Sequence, residues 1–459
     1  MKVLFINVPF IKHVNGQIHT GPNAGSRWPW TMPGPSFHGY APYPFYLANA
    51  VSWLRHHGVE ADLYDGVAER HYQINTVKKS ITDYRPSIAV FDVSTPVYPL
   101  ITEIANHDKN TVESRIVFVG PHMKAYANEC VNLPFVDNCV IGEYETPILD
   151  IVNSYPNGKK IYEYEFVPDI NQLPDGSNFM PYRDEAKLGH YYDPSMQTAR
   201  TQLQVSASRG CPFKCTYCQW PKTINGGKYR ARSPEMVIDE IKTMKTKLGS
   251  GLGSIFFDDD TWNIGNNRIK SMCAGLKDIG IPWTMMGRID TSSREVYDTM
   301  VESGCVGMRF GIESFNQRLL DNAKKNLNAN VTHDNITYLL KRFSNMEFHF
   351  TTMKNLPGST PQDWENDKAI LQDLIKQGSN RGHKVHYQNS DCIPFPGTEL
   401  WEELVELGHG DKLKDFHSYD GHPSNDAALA KTIGWLGTNY RPKISLYSGS
   451  GTPTNLPKE

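Results

Sequence analysis

The chain has 459 residues, a formal net charge of −3 and eight cysteines. Its length is enough for two or three domains with full hydrophobic cores, and its near-neutral charge gives no electrostatic basis for binding nucleic acid or a membrane surface. Its apolar runs are all shorter than the roughly 20 residues of a membrane-spanning helix, and the apolar start is too short for a signal peptide. Cysteines without secretory features are typical of a reducing compartment, so we expect a cytoplasmic protein.

Residues 1–150 alternate strand-like and helix-like segments. The segment Tyr46–His57 predicts an amphipathic helix closed by Gly58. Short apolar, β-rich runs predict strands at Val3–Val8, Val59–Tyr64, Ile88–Val93, Ile116–Val119 and Asn138–Ile141. This alternation predicts a parallel sheet covered on both faces, a Rossmann-like, doubly wound domain with its ligand crevice at the carboxyl ends of the strands. Residues 151–200 are polar and contain proline, which predicts a linker.

Residues 201–400 repeat the alternation of strands and helices. Ser233 is a suitable N-cap, with Pro234 at the first helical position, for a helix that reaches Lys247. Six strand starts are predicted, at Gln202–Ala207, Ser254–Phe257, Trp283–Met286, Gly307–Phe310, Phe348–Met353 and His386–Ser390. Six strands with helices between them predict a second α/β domain. Residues 401–459 are typical of a small C-terminal region of helices and loops.

The most informative motif is a cysteine triplet directly after the first of these six strands. Cys211, Cys215 and Cys218 form a C-x3-C-x2-C pattern. Three thiolates can bind three irons of a [4Fe–4S] cluster, which normally takes four cysteines, so one iron stays open for a chelating molecule. A structural zinc ion is the main alternative, but it normally needs four ligands, and no second close cysteine pair follows. The triplet is too bunched for disulfides among its members, so the spacing favours an iron–sulfur cluster.

With Tyr217 directly before the third cysteine, the triplet resembles the signature of the radical S-adenosylmethionine (SAM) enzymes. The resemblance implies a partial (β/α)6 TIM-type barrel over residues 201–400, with its chemistry at the carboxyl ends of the strands. It also implies that SAM binds the open iron and that Tyr217 contributes to the SAM site. In that family, reductive cleavage of SAM gives a 5′-deoxyadenosyl radical that abstracts hydrogen from carbon.

Residues that follow the second and third barrel strands match positions of SAM contacts in the family. Asp258, Asp259 and Asp260 stand where the family holds the amino group of SAM, a suitable partner for a carboxylate. The alternative for this run is a helix N-cap or a solvated acidic turn. Arg288 stands where the family often contacts the carboxylate or ribose of SAM, and a guanidinium fits a carboxylate with two hydrogen bonds. Its alternative is a surface salt bridge.

The fourth and later strands end in further motifs of this resemblance. Glu313 and Ser314, in a Gly-Ile-Glu-Ser sequence, resemble the family motif that approaches the ribose hydroxyls of SAM. Pro357-Gly358-Ser359 and Pro396-Gly397-Thr398 resemble strand-end turns of the family, although a Pro-Gly pair alone indicates only a turn. Cys392 follows the sixth strand and is either a hydrogen donor in the active site or a buried structural thiol.

The N-terminal domain resembles the cobalamin (B12)-binding subgroup of radical SAM proteins. The resemblance lies in Tyr40–Asn49, Trp53–Gly58, Val119–His122 and Gly142–Glu145. It implies that the nucleotide tail of the corrinoid contacts strand-end residues, where glycines allow close backbone approach. These residues are Ser94, Thr95, Gly120, Pro121 and Gly142.

One departure from many B12 proteins concerns the lower axial ligand of cobalt. The D-x-H-x-x-G motif that supplies a histidine in those proteins is not matched by Asp65–Glu69. Many members of the resembled subgroup also lack the motif, so cobalamin remains expected. A lone histidine is more often a hydrogen-bonding residue than a ligand. We therefore assign no cobalt ligand among the histidines His13, His19, His38 and His122.

Together the resemblances imply a cobalamin-dependent radical SAM enzyme that methylates an unactivated carbon. One SAM would methylate reduced cobalamin, a second would give the 5′-deoxyadenosyl radical, and the substrate radical would collect the methyl group from methylcobalamin. The substrate is expected between the two domains, and a loop rich in Trp28, Trp30, Phe37 and Tyr40 either lines that gap or is simply packed. The expected partners are a small-molecule, tetrapyrrole or peptide substrate and an external electron donor such as flavodoxin or ferredoxin.

Other functions are weighed against this one. A B12-type oxidative cyclase or rearrangement enzyme would change its substrate without adding a methyl group. A radical SAM enzyme that has lost cobalamin would use the N-terminal domain only as a substrate lid. A methylthiotransferase is disfavoured because Cys130 and Cys139 do not form the second triplet of that family. A zinc module or electron carrier would need neither Glu313 nor Ser314.

Overall fold

A computed structural model describes residues 1–14, 17–23, 40–158, 160–194, 196, 198–419, 423–437 and 439–442. These residues divide into two units. The first unit holds the described residues of 1–192, 222–226 and 395–426, and the second holds those of 193–221, 227–394 and from 427 on. Two segments that are distant in sequence from residues 1–192 therefore pack in the first unit. His38, Trp28, Trp30 and Phe37 lie outside the described residues.

The first unit is built on a six-stranded sheet in which all neighbours are parallel. In chain order the strands of this unit are β1 (Lys2–Asn7), β2 (Phe10–Val14), β3 (Gln17–Gly21), β4 (Glu60–Asp65), β5 (Ile88–Asp92), β6 (Arg115–Val119), β7 (Asn138–Ile141) and β8 (Ile161–Glu163). The sheet order is β4-β1-β5-β6-β7-β8, while β2 and β3 form a separate antiparallel hairpin. The strand order reverses between β1 and β5, which is where doubly wound sheets bind ligands. The Rossmann-like expectation is confirmed.

Helices cover both faces of this sheet. They are α1 (Phe45–His56), α2 (Ile74–Tyr84), α3 (Tyr98–Thr111), α4 (Met123–Cys130) and α5 (Glu145–Asn153). One core cluster joins α2, α3 and α4 to the side of the strands that carries Leu4 and Phe91. The alternate side chains, such as Phe5 and Val90, are also fully buried, and α1 and α5 pack beside each other. Burial of both sets explains why these strands are continuous apolar runs.

The polar segment predicted as a linker contributes to the sheet. Strand β8 has only three residues, and its Tyr162 pairs in register with Val140 of β7. A strand this short carries no readable alternation, which is why the sequence pattern missed it.

The second unit is built on an open, all-parallel six-stranded sheet. The strands of this unit are β9 (Gln202–Val205), β10 (Ser208–Arg209), β11 (Arg230–Ala231), β12 (Ser254–Phe257), β13 (Trp283–Gly287), β14 (Cys305–Glu313), β15 (Glu347–Lys354) and β16 (Lys384–Asp391). The large sheet runs β16-β15-β14-β13-β12-β9, and β10 pairs with β11 in a short antiparallel ladder. Six strands in sequential order with helices between them confirm the expected partial barrel.

Seven described helices lie between these strands, and five of them begin at a residue whose side chain caps the helix. They are α6 (Trp220–Thr223), α7 (Pro234–Leu248), α8 (Asn266–Ile279), α9 (Arg294–Glu302), α10 (Gln317–Asn322), α11 (Ala329–Arg342) and α12 (Pro361–Ser379). The Ser233 side chain accepts from the Met236 amide, as predicted, and Thr360 forms a capping box with Asp363. Two helices follow, α13 (Glu399–Leu404) and α14 (Pro423–Ile433). Among the described helices, none combines the length and the apolar character needed to cross a bilayer.

Candidate functional site

The cysteine loop starts from a short ladder in the second unit. Ser208 and Arg209 pair with Ala231 and Arg230, so β10 and β11 bring the two ends of the region around the cysteines together. Within the loop the Cys218 amide donates to the Cys215 carbonyl at 3.1 Å. All three cysteines are partly exposed free thiols. The loop therefore presents three sulfurs just beyond the carboxyl end of the first barrel strand.

Electrostatic coupling indicates that these thiols lie close together. Desolvation of the sulfur raises the pKa of Cys211 to about 11, and the charges of Asp260 and Cys215 add to this. Desolvation also raises the pKa of Cys218 well above its ordinary value, with Cys215 and Cys211 as the next causes. Metal binding would offset the cost of deprotonating these thiols, because the metal replaces their protons. Within the described ranges, no three Cys, His, Asp or Glu side chains are grouped as ligands of one ion. A cluster is a different case, because each thiolate binds a separate iron.

The three aspartates that follow β12 make different contacts. Asp259 is fully buried and accepts from the Ala207 amide at 3.1 Å and from the Ser208 hydroxyl. The Asp258 amide donates to the Val205 carbonyl at 2.9 Å. The charge of Asp260 is among the causes that raise the pKa of Cys211 and Cys218. Asp259 therefore fixes the chain that leads into the cysteine loop, and the charge of Asp260 acts on the thiols.

Glu313 is the last residue of β14 and forms a buried ion pair. Its Oε1 lies 2.9 Å from Lys325 Nζ, and the two side chains are only 9% and 8% exposed. Both charges reach the cysteine region, because Cys215 raises the pKa of Lys325 and Glu313 raises that of Tyr217 after burial and Cys215. The structure thus brings Tyr217, Glu313 and Lys325 together beside the triplet. Lys325 was missed in the sequence, where it follows a short helix with no motif around it.

The side chains of Arg288 and Ser314 form hydrogen bonds within the protein. Arg288 is buried and bound to Asp290 and to the backbone of the loop after α10. The Ser314 hydroxyl donates to Asp367 Oδ2 at 2.6 Å and accepts from the Asn316 amide at 3.0 Å. Ser314 therefore ties the end of β14 to α12.

Cys392 lies directly after β16 and is completely buried. Burial raises the pKa of its thiol far above the ordinary value, and the next cause is the charge of Glu313. The thiol is therefore protonated and near the Glu313 side of the site.

The two Pro-Gly turns lie in different units. In the first turn, Gly358 has φ +77 and its carbonyl accepts a hydrogen bond from Arg318. The turn with Gly397 belongs to the first unit, where a Cβ on this glycine would lie 2.9 Å from Lys124 Cγ.

In the first unit the glycines predicted to contact cobalamin follow β6 and β7. Gly120 has φ +100, and a Cβ there would lie 2.7 Å from the backbone nitrogen of Val93. Gly142 has φ +114, and a Cβ would lie 3.1 Å from Tyr164 Cα. Both positions need glycine because neighbouring atoms of the protein fill the space of a side chain. Packing within the unit therefore accounts for these two glycines.

The polar side chains at these strand ends are bonded to each other. The Ser94 hydroxyl donates to Asn23 Oδ1 at 2.8 Å, and the Asn23 amide donates to the Asp92 carbonyl at 3.0 Å. Burial raises the pKa of Asp92 to about 7, although the Tyr144 hydroxyl donates to its carboxylate. Ser94 is buried, as are Thr95 and Pro121. Any corrinoid contact here would be made mainly by the backbone.

His122 follows the predicted corrinoid residues but is enclosed. Its Nδ1 lies 3.0 Å from the Thr95 hydroxyl, and its ring is stacked between Tyr98 and Tyr126, with Phe416 at its edge. Burial lowers the pKa of His122 to about 3, so the ring is neutral. This packing supports leaving His122 without a metal-ligand role.

The chain is similar to known proteins over most of its length. The model of the Radical SAM superfamily matches residues 205–369. The chain is 32% identical over 436 residues to cytidylyl-2-hydroxyethylphosphonate methyltransferase of Streptomyces wedmorensis, with 80% of this chain and 79% of that protein covered. It is 26% identical to an uncharacterized methyltransferase of Pyrococcus horikoshii, with 79% and 78% covered. It is 23% identical to the anaerobic magnesium-protoporphyrin IX monomethyl ester cyclase of Rubrivivax gelatinosus, with 82% and 68% covered.

Solved structures of similar fold cover most of the chain. The radical SAM methyltransferase TsrM of Kitasatospora setae, solved with cobalamin and a [4Fe–4S] cluster, has a TM-score of 0.63 at 14% identity and covers 89% of this chain and 78% of that one. The cobalamin-dependent radical SAM enzyme OxsB, solved with aqua-cobalamin and SAM, has a TM-score of 0.60 at 14% identity and covers 93% and 63%. At this identity the likeness concerns the fold, and it extends over both units.

Proposed function

The chain belongs to the cobalamin-dependent, methyltransferase-like family of radical SAM enzymes, and we propose that it methylates an unactivated carbon of its substrate. One combination of features carries the proposal. A three-cysteine loop at the carboxyl end of a partial barrel occurs in the same chain as a doubly wound unit whose strand order reverses at a topological switch point. When bound, the cluster and SAM supply a 5′-deoxyadenosyl radical, and cobalamin supplies the methyl group.

In this proposal the barrel residues divide the work of holding SAM. Cys211, Cys215 and Cys218 bind three irons and leave the fourth for SAM. Glu313 accepts hydrogen bonds from the ribose hydroxyls, and Lys325 offers its ammonium group to the carboxylate. The support is that these two side chains form a buried pair at 2.9 Å. Glu313 would then meet neutral hydroxyl donors and Lys325 an anionic acceptor, so each partner would keep a favourable contact.

The remaining candidates are sorted by the hydrogen bonds and charges that act on them. Tyr217 and Asp260 are coupled electrostatically to the cysteines, and we keep them, together with Asp258, as SAM contacts. The side chains of Asp259 and Ser314 hold the strand ends in place. Their loss would disturb the site through the backbone, not through a lost contact with SAM.

Cobalamin in this proposal sits at the carboxyl edge of the first unit's sheet. Gly120 and Gly142 supply backbone without side chains, and Ser94, Thr95 and Pro121 frame the edge. No histidine from the D-x-H-x-x-G motif is available, and His122 is enclosed by aromatic rings. The lower face of cobalt is therefore left without a histidine from either source.

The substrate is a small molecule, a tetrapyrrole or a peptide, and the electron comes from an external donor such as flavodoxin or ferredoxin in the cytoplasm. Nucleic acid is not expected as a partner, since the net charge is −3. An oxidative cyclase is the second candidate function, favoured by the match to the Rubrivivax gelatinosus cyclase. Product mass separates the two, because methylation adds one methylene unit and ring formation removes hydrogens or adds oxygen.

The test uses SAM with a trideuterated methyl group, a chemical reductant, cobalamin and candidate substrates without oxygen. The proposal expects labelled methyl transfer to carbon together with 5′-deoxyadenosine. Cys218→Ala should abolish both, whereas Cys273→Ala, at a buried helix position, should keep both. Formation of 5′-deoxyadenosine with an oxidised, unlabelled product would overturn methylation and leave the cyclase.

A further inference from the structure

Three loops of the second unit meet at the guanidinium of Arg288. Its Nε and Nη2 donate to the two carboxylate oxygens of Asp290 at 3.0 and 2.8 Å. Its Nη1 donates to the Lys325 carbonyl at 2.7 Å, and Nη2 also donates to the Asn326 carbonyl at 3.0 Å. The Cζ atom of the guanidinium lies over the ring of Phe213, 3.7 Å from its centre. Phe213 stands between the first two cluster cysteines.

This engagement leaves Arg288 little capacity for a ligand. Four of the five N–H groups of a guanidinium are used, and one face is covered by an aromatic ring. The side chain is 4% exposed. A SAM carboxylate could bind in the bidentate manner only by displacing Asp290, which already binds in that manner.

The loop held by Arg288 is itself attached to the cysteine loop. The Thr216 amide, next to Cys215, donates to the Ala323 carbonyl at 3.0 Å. Lys324 and Asn326 have φ values of +49 and +52, a left-handed conformation that is kept only where surrounding contacts enforce it. Arg288 and Thr216 supply those contacts. The cysteine loop and the loop 323–326 are thus held to each other at two points, one of which is Arg288.

We propose that Arg288 is a positioning residue, which clamps the cysteine loop in the conformation that accepts the iron–sulfur cluster, and that it is not a ligand of SAM. Residues that orient the ligands of a metal centre typically change its affinity and spectrum when they are replaced. A SAM ligand would instead change the affinity for SAM and leave the cluster intact. The two roles therefore give different measurements, and neither measurement requires cobalamin or substrate.

The test compares Arg288→Lys with Arg294→Lys in the reconstituted full chain. Lysine keeps the positive charge but cannot form the planar fork. Arg294 is the matched control, because its guanidinium also lies over an aromatic ring, that of Tyr338 at 4.5 Å, and because it is an exposed residue of the same unit. The measurements are the rate of iron loss to a chelator, the electron paramagnetic resonance spectrum of the reduced cluster, and the SAM dissociation constant at full cluster occupancy.

Arg288→Lys should lose iron about 10-fold faster or more and change the resonance spectrum, with SAM affinity unchanged at full occupancy. Arg294→Lys should match the wild type in all three. Weaker SAM binding by Arg288→Lys at full occupancy would overturn the proposal, as would a wild-type rate of iron loss. If Arg288→Lys does not fold, Asp290→Asn keeps the guanidinium and weakens its anchor. That variant should show a smaller acceleration in the same direction, and wild-type iron loss would overturn the proposal.

Discussion

Lys325→Met should destabilise the second unit by about 3–5 kcal/mol, because it leaves a buried carboxylate without its partner. Lys325 Nζ lies 2.9 Å from Glu313 Oε1, and both side chains are less than 10% exposed (8% and 9%). Water cannot easily replace the ammonium group, since both side chains lie away from solvent. The double variant Glu313→Gln/Lys325→Met removes both charges, so it should be less destabilised than the sum of the single variants.

Charge state does not complicate this comparison at about pH 8. Burial works against the charged form of Lys325, but attraction to Glu313 and Cys215 prevails and raises its pKa above the ordinary value of 10.5. A raised lysine pKa gives stability that is complete below the unfolded-state value and is lost only as the pH rises through the folded-state value. The pair is therefore intact over the whole neutral range.

The assay is urea denaturation of the cluster-free protein, followed by tryptophan fluorescence. Trp262 and Trp283 are buried in the second unit and report its unfolding. Lys277→Met is the matched control, because Lys277 is exposed on α8, and it should change the free energy of unfolding by less than about 0.5 kcal/mol. A Lys325→Met value as small as that of the control would refute the reasoning. Strict additivity of the two single variants in the double variant would also refute it.

Three further outcomes are expected. Cys211→Ala should prevent stable cluster assembly, seen as lost iron and lost visible absorbance, whereas Cys273→Ala should retain both; equal iron in the two would exclude the triplet as ligand set. Burial raises the pKa of Asp92 from 3.8 to about 7, so folding takes up a proton and wild-type stability falls as the pH rises between these values. The thermal midpoint of Asp92→Asn, measured relative to that of the wild type, should therefore rise between about pH 4 and about pH 7. A difference that stays constant with pH would contradict this. Gly120→Ala should cost about 3 kcal/mol or more, because strain at φ +100 adds to a contact 2.7 Å from the Val93 backbone nitrogen. Gly58→Ala, with φ +75 and no atom within 4 Å, should cost only about 1–2 kcal/mol in urea denaturation, and equal costs would contradict the packing argument.

The features that could be predicted from the sequence are those that depend on local patterns. Runs such as Ser254–Phe257 became strands with those bounds, because apolar residues between turn signals leave no competing structure. The helix cap at Ser233 was predictable because the capping interaction spans only three residues. The cysteine triplet was predictable because its ligand spacing is local.

What the sequence did not predict depends on contacts between distant segments. Ser314 is hydrogen-bonded to Asp367, 53 positions later, and no local pattern in the sequence indicates that partner. Arg288 looked available for a ligand until its bonds to Asp290 and to the carbonyls of Lys325 and Asn326 were seen. Lys325 is buried only because Glu313 and the loop around it fold together. The membership of residues 222–226 and 395–426 in the first unit has the same origin.

The central claim is that one chain carries both an iron–sulfur cluster and cobalamin for methyl transfer. The most direct measurement is the iron and cobalt content, with the visible spectrum, of protein purified without oxygen from cells supplied with cobalamin. The account predicts about four irons and about one cobalt per chain, with iron lost and cobalt kept in Cys211→Ala. Iron without cobalt, even after reconstitution with cobalamin, would contradict the cobalamin-dependent reaction.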